Sequence, residues 1–343
     1  MLIALLLGLA GLVAVTLWLG EPGQWRHLFR LGGSTLTWAM VLLAASFLGG
    51  GLRLVAILRM AGAKTDFLRA TRAHILGLFA AAVTPSGGGN GLAIGFALQR
   101  DGIKPNVAWS AAVYGSVLDL FYFAWTLPIA GFLLYRTQLI SANLLWVTLA
   151  VSAFSLALWY GLAFHLGRVR HLIRPLLGWR ILKRWRKRTL RFLDDVSSAM
   201  NTISRGGFLS QVGLNLLTLP VHLSAYAILH LFAVALGSPL SLMQTLSLMV
   251  LISAASQVVP TPGGSGYFEV ALTYAFSQGG AHAQMTAAVI AFRAITYYVP
   301  IVLGALLGGS VLISELNRAN SQNAAALATV SDTEPDAEST QQA

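Results

Sequence analysis

Cysteine is absent from the 343-residue sequence, and Asp, Glu, Lys and Arg together make up only 10% of it. The first absence excludes disulfides, thiolate chemistry and cysteine-based zinc sites. The second excludes a water-soluble fold of this size, since soluble domains carry about 25% charged residues. Also missing is a G-x-x-x-x-G-K-[ST] segment, so neither nucleotide binding nor ATP-driven pumping is supported. What is present is 56% hydrophobic, with 34 glycines and a formal net charge of +11. In a soluble protein that charge would suggest nucleic acid. Here most basic residues lie in short segments beside apolar runs, so anionic lipid headgroups are the expected partner and nucleic acid is not.

A helix needs about 20 apolar residues to cross roughly 30 Å of hydrocarbon. Met1–Leu19 is apolar from its first residue and lacks the positive start of a secretory signal, so it reads as a first transmembrane helix rather than a cleaved leader. Ser34–Leu58, Val107–Leu134, Leu144–Leu166, Phe208–Leu236 and Met285–Ile313 also have spanning length. The expected fold is an all-α polytopic membrane protein of about six spanning helices. Pro128 and Pro220 should kink the helices that contain them. Two stretches break instead. Ala73–Val83 runs into Thr84-Pro85-Ser86-Gly87-Gly88-Gly89-Asn90-Gly91 and resumes as Leu92–Gln99. Ser241–Val259 runs into Pro260-Thr261-Pro262-Gly263-Gly264-Ser265-Gly266 and resumes as Tyr267–Ser277. An arm of about eleven residues rises only about 16 Å, half the hydrocarbon core. Re-entrant hairpins are therefore expected at 73–99 and 241–278.

The breaks resemble each other. An offset of 175 residues lays Pro85 on Pro260 and Tyr122-Phe123 on Tyr297-Tyr298. The organisation expected is an N-terminal helix and loop (1–33), a first repeat (34–135), a linking helix with a basic cytoplasmic segment (136–206), a second repeat (207–313) and a disordered acidic tail (314–343). Nearly all of the 23 Lys and Arg residues fall on one side if both ends of the first hairpin face the cytoplasm. Arg53 is counted there. The uncharged flanks of the second hairpin then face outward, which makes the repeats inverted and both termini cytoplasmic. Residues 168–191, dense in Arg and Lys with Trp179 and Trp185 interleaved, read as a helix lying on anionic lipid or as a solvated topogenic loop.

Inverted repeats with broken helices near mid-membrane are the architecture of alternating-access carriers, whose helix ends present N–H and C=O groups to polar substrate atoms. Candidate substrate contacts are Pro85, Ser86, Gly88 and Asn90 at the first break and Thr261, Gly263, Gly264 and Ser265 at the second. Asp119, Glu269 and Arg293 are ionisable residues inside apolar segments, where charges usually pair or line a polar cavity. Arg293 would contact a lipid phosphate, with Glu269 and Asp119 balancing it or meeting a cationic head; a purely structural ion pair is the alternative. His222 and His230 share roughly one helix face but have no acidic partner at ligand spacing, so packing or a headgroup contact is expected, with no metal and no cofactor. Gly263-Gly264-Ser265-Gly266 has the form of an intramembrane serine hydrolase motif, but the first break offers no serine at the matching position.

Pro260 to Glu269 together with Arg293, and Pro85 to Gly89 followed by Asp119, resemble the flippase-like transmembrane family that includes the membrane half of lysylphosphatidylglycerol synthases. The resemblance spans roughly residues 5–315. Where that family carries Glu-Arg shortly before the first aspartate, this sequence has Gly115-Ser116. The resemblance implies a flippase for a polar-headed lipid, such as aminoacylated phospholipid, in the bacterial inner membrane. A homo-oligomer or a lipid-modifying enzyme is the expected protein partner. No aminoacyl-transferase half follows within the sequence, so synthase activity is not expected. An accessory lipid-binding protein of glycolipid or hopanoid pathways, or a hydrolase using Ser265, are the other readings.

Overall fold

The computed structural model describes residues 24–176, 194, 197, 200–277 and 282–308. The first apolar segment, most of the basic segment 168–191 and the acidic tail lie outside these residues. In chain order the helices are α1 (Gln24–Leu28), α2 (Gly33–Met60), α3 (Phe67–Val83), α4 (Gly89–Arg100), α5 (Pro105–Arg136), α6 (Ala142–Leu176), α7 (Gly207–Leu216), α8 (Leu219–Ala235), α9 (Leu242–Ser256), α10 (Tyr267–Ser277) and α11 (His282–Arg293). After α11 the helix passes through a π turn at Ala294–Tyr298 and continues to residue 308.

Among the described residues, five stretches are long and apolar enough to cross a membrane: Gly33–Met60, Pro105–Arg136, Ala142–Phe164, Gly207–Ala235 and Gln284–Gly308. Large apolar side chains such as Trp146, Phe154 and Leu209 are exposed along them, as expected where the solvent is hydrocarbon. The chain is a multi-pass, all-α membrane protein.

The ends of these helices follow local chemistry. Asp66 caps α3 by accepting from Leu68 N at 3.1 Å, and Ser241 with Gln244 forms a capping box at the start of α9. The first hairpin arm therefore begins six residues before the apolar run at Ala73 suggests, because Asp66, not hydropathy, sets its start. At Pro220 the run Phe208–Leu236 divides into α7 and α8, joined through Leu217 and Thr218 in right-handed helical conformation, with Pro220 in the first turn of α8. Pro128, by contrast, lies inside a continuous α5.

Helix α2 is the hub, and its Gly49-Gly50-Gly51 sequence is what permits this. A Cβ at Gly49 would lie 3.2 Å from Pro220 Cβ of α8. On the other side, a Cβ at Gly50 would lie 2.1 Å from His74 Cδ2 of α3, and one at Gly51 2.0 Å from Thr71 Oγ1. Ser46 Oγ donates to Val221 O at 2.7 Å, fastening α2 to α8. Two apolar cores flank this hub. One gathers residues of α2, α5, α8, α9 and α11, including Phe47, Tyr122, Phe232, Met249 and Phe292. The other gathers α2 to α7, including Leu58, Leu98, Tyr114 and Trp159.

Packing this tight gives a direct test. Gly50→Val places a branched side chain where His74 sits and should cost roughly 1–3 kcal/mol. Gly213→Ala, whose Cβ meets nothing within 4 Å, should be neutral or stabilising by up to about 1 kcal/mol. Thermal unfolding in mild detergent reads both; equal midpoints for the two variants would contradict the packing.

Candidate functional site

The two breaks are the same turn. After Thr84-Pro85, Ser86 and Gly87 adopt positive φ (50° and 68°); after Thr261-Pro262, Gly263 and Gly264 do likewise (55° and 66°). The backbone bonds match as well. Gly87 N and Gly88 N donate to Thr84 O and Pro85 O at 3.3 and 3.1 Å, and Gly264 N and Ser265 N donate to Thr261 O and Pro262 O at 3.2 and 3.0 Å. The structural register thus lays Pro85 on Pro262, two residues from the sequence overlay on Pro260, because backbone conformation and not the count of glycines defines the turn.

These elbows touch. Pro85 and Pro262 form an isolated antiparallel bridge, and Ser86 Oγ donates to Val259 O at 3.1 Å. Tyr297, placed by the π turn, joins both: its hydroxyl donates to Ala82 O at 3.0 Å, and its ring occupies the space beside Gly263, where a Cβ would lie 2.2 Å from Cε2. Only glycine serves there, since both φ and space forbid a side chain.

Beside the elbows lies a cavity of about 820 Å³. Of the residues singled out from sequence, Ser86, Gly88, Asn90, Asp119, Gly263, Gly264 and Arg293 line it. Pro85 and Thr261 belong to the elbow scaffold, while Ser265 and Glu269 sit behind Arg293. Glu269 is 2% exposed and Arg293 5%. Arg293 Nε donates to Glu269 Oε1 at 2.7 Å, and its Nη2 donates to Ser265 Oγ at 3.2 Å and Gly263 O at 3.3 Å. Glu269 Oε2 in turn accepts Gly266 N at 2.7 Å, at the start of α10, where a carboxylate also meets the positive end of the helix. The guanidinium lies 4.3 Å from the Tyr297 ring centroid and 5.3 Å from that of Phe268, which adds a cation–π contribution. Nη1 of Arg293 has no partner among the described residues.

Asp119 does not join this pair. Its Oδ1 is 2.5 Å from Arg53 Nη1 and 3.2 Å from His222 Nε2. Arg53, assigned from sequence to the cytoplasmic flank, is instead buried in α2 at 8% exposure. It reaches across to α5, where it meets Asp119 and passes over Gly115, at which an added Cβ would stand at ordinary contact distance, 3.9 Å from Nη2. The sequence pattern misses this because Arg53 stands close to the end of the apolar run at Leu58, where a topogenic arginine also stands. His222 is stacked on Tyr122 with ring centroids 4.4 Å apart and lines the cavity, a role the search for acidic spacing along the chain could not reveal. His230 meets Thr245 at 3.2 Å. Ser116, Tyr226, Ser253 and Gln257 also line the cavity; nothing in their local sequence marks them.

Fold and site together define a multi-pass helical membrane protein whose long helices and two Thr-Pro elbows border a largely apolar cavity with charged and polar side chains in its wall. Residues 1–304 match the family described as the lysylphosphatidylglycerol synthase TM region, and the chain belongs to that family. It is also similar to a "UPF0104 membrane protein" of Archaeoglobus fulgidus, 24% identical over 310 residues that cover 81% of this chain and 91% of the relative.

The ion pair at the second elbow should be costly to break from one side only. Glu269→Gln leaves a buried cation uncompensated and should destabilise by about 3–5 kcal/mol. The double variant Glu269→Leu/Arg293→Met should recover most of that loss in detergent unfolding. A single variant as stable as wild type would show that the pair is not buried.

Proposed function

We propose that the protein is a carrier that moves a polar-headed, phosphate-bearing lipid across the membrane by alternating access. Aminoacylated phosphatidylglycerol, the lipid in the family's description, is one member of that class. The observation that carries the reading is the meeting of two equivalent elbows at the edge of a cavity that contains a buried arginine with an unused donor. A volume of about 820 Å³ lies in the range of small-molecule sites, enough for a headgroup whose acyl chains stay in the bilayer. The phosphate would take the Nη1 hydrogens of Arg293, while Ser86 and Asn90 offer hydrogen bonds from the first elbow. Glu269 keeps the arginine neutralised when the cavity is empty.

The contact between elbows suits a moving part. One bridge, the Ser86 bond and the Tyr297 bond join them, so the elbows can part by losing few interactions. Charge counting supports an inverted arrangement, with the outer end of the first hairpin cytoplasmic and that of the second exposed on the opposite side, in the inner membrane of a bacterium. Moving Arg53 into the interior leaves that count intact. The hydrolase reading lacks its base: the recorded partner of Ser265 is a guanidinium, which stays protonated and accepts nothing.

Vesicle assays test both parts. Arg293→Ala should slow translocation of a fluorescent phospholipid by about tenfold or more, the equivalent of one lost charged contact. Because the sequence has no cysteine, Lys104→Cys and Ser238→Cys give clean labels for the outer turns of the two hairpins. An impermeant maleimide should reach them from opposite sides. Labelling from one side, or equal transport by wild type and Arg293→Ala, would remove the reading.

A further inference from the structure

In the register that lays Pro85 on Pro262, Ser116, Leu120 and Phe123 of α5 fall on Arg293, Tyr297 and Pro300, and every one of them lines the cavity. Gly91 of α4 falls on Phe268 of α10, and both line it too. The two walls thus come from matching positions but are filled differently. On the second side Phe268 lies against the Arg293 guanidinium, and Tyr297 donates to Ala82 O. About two turns further along, the seam between α3 and the last helix is shut, since a Cβ at Gly304 would lie 2.2 Å from Phe79 Cβ. On the first side the place of Phe268 holds no side chain, and a Cβ at Gly91 would meet only Ala112 O, at 4.0 Å. Ser116 is exposed where Arg293 is buried. A gap is left between the first hairpin and α5.

This gap faces hydrocarbon. Trp109, Val113, Ser116 and Leu120 recur every three or four residues and so share one face of α5, the face turned to the cavity. Further along α5, Leu127 and Ala130 are covered in a core with Met249 and Ile252 of α9; Val113 has no such cover and is 38% exposed. On the other bank Leu92 lines the cavity while 56% exposed, and Phe96, one turn along α4, is exposed outside it. Between Gly89 and Gln99, and between Pro105 and Leu118, the only ionisable side chain is that of Tyr114, which is buried. A charged head passing between these banks would lose its solvation with no partner to replace it, whereas an alkyl chain loses nothing. Val113 stands about two turns from Pro105, where α5 begins, and hence at the depth of one leaflet's chains.

We infer that this gap, bounded by Gly91, Leu92, Val113 and Ser116, is the acyl-chain site of the cavity: a chain of the bound lipid passes through it into the bilayer while the head stays at Arg293. On the carrier reading, on which this site rests, the gap is the lateral entrance from one leaflet. The closed seam at Phe79 and Gly304 is its counterpart on the second side, so the cavity in this conformation admits lipid from a single leaflet.

Photolabelling of the full-length protein in vesicles tests the site. The probes are phosphatidylglycerol and lysylphosphatidylglycerol, each with a diazirine on one acyl chain, and peptide mapping locates the adducts. In wild type the adducts of at least one probe should concentrate on the segments 89–96 and 109–120. Gly91→Phe supplies the side chain that the second repeat carries. It should lower labelling of those segments, and movement of a fluorescent analogue, by about tenfold, the equivalent of roughly two methylenes kept from an apolar site. Val113→Trp narrows the gap from α5 and should act likewise, which covers a failure of Gly91→Phe to fold. Val302→Trp adds bulk on an exposed face outside the cavity and should match wild type. Calorimetric binding of the heads without chains, glycerophosphoglycerol and its lysyl ester, should be unchanged by Gly91→Phe. Adducts spread evenly over the apolar surface, adducts unchanged by both gap variants, or weaker binding of the bare heads to Gly91→Phe would each overturn the inference. Lipid moved by wild type with no adduct at the gap overturns it and leaves the carrier. Adducts at the gap that both variants abolish, with no movement of either lipid, uphold the chain site and overturn the carrier.

Discussion

One constraint organises the second half of this molecule: a cation placed where water is scarce must be answered within a few ångströms. Arg293 is answered by Glu269, and the answer shapes backbone as well as charge. Glu269 holds Gly266 N, and Arg293 holds Gly263 O, so the two side chains grip both ends of the turn Gly263–Gly266. That turn includes three residues at positive φ and would otherwise be the least determined part of the chain. The π turn that follows Arg293 is part of the same solution, since it brings Tyr297 against both the guanidinium and Gly263. An ion pair therefore fixes the elbow, and the elbow in turn positions Val259 and Pro262 against the first hairpin.

Much of this could be read along the chain, and the reasons are physical. Runs of spanning length identify themselves because hydrocarbon admits little else, and Thr-Pro followed by glycines can do little in a helix but end it. Glu269 and Arg293 announce themselves as charges in apolar surroundings. What escapes is whatever depends on two distant segments meeting. Arg53 looks like any arginine near a helix end until Asp119 of α5 is seen beside it, and His222 finds its acid on another helix rather than at a fixed spacing. The elbow register escapes for a different cause. Glycine-rich strings align with one another in several ways, whereas Thr84 and Thr261 are shown to be equivalent only by their carbonyl bonds.

The scaffold is repeated but its chemistry is not. Equivalent elbows meet as an antiparallel pair, yet the charge clusters beside them differ in kind. At the second elbow both members of the pair lie within one half, on α10 and α11, and they hold a turn. Beside the first, Arg53 and Asp119 belong to α2 and α5 while His222 comes from α8, so the cluster joins the two halves. The first kind of cluster is rigid by construction, because each polar atom of the carboxylate is engaged. The second places an imidazole between segments that would shift relative to each other in any alternating-access cycle.

On the carrier reading, that difference suits the two clusters to separate work. A group that binds phosphate would have to present the same donor whichever way the cavity opens, and Arg293 is clamped to its own elbow. His222 of α8, held to Asp119 of α5, instead bridges helices from different parts of the chain. Gly49 and Pro220 form a close contact where α2 and α8 meet, and hydrogen bonds from Ser46 to Val221 O and from Arg53 to Thr218 at the start of α8 cross it. Motion of α8 there would alter the distance from His222 to Asp119. The Arg293 cluster thus holds one elbow, while the Asp119 cluster ties helices of both parts of the cavity together, an arrangement that suits the proposed carrier.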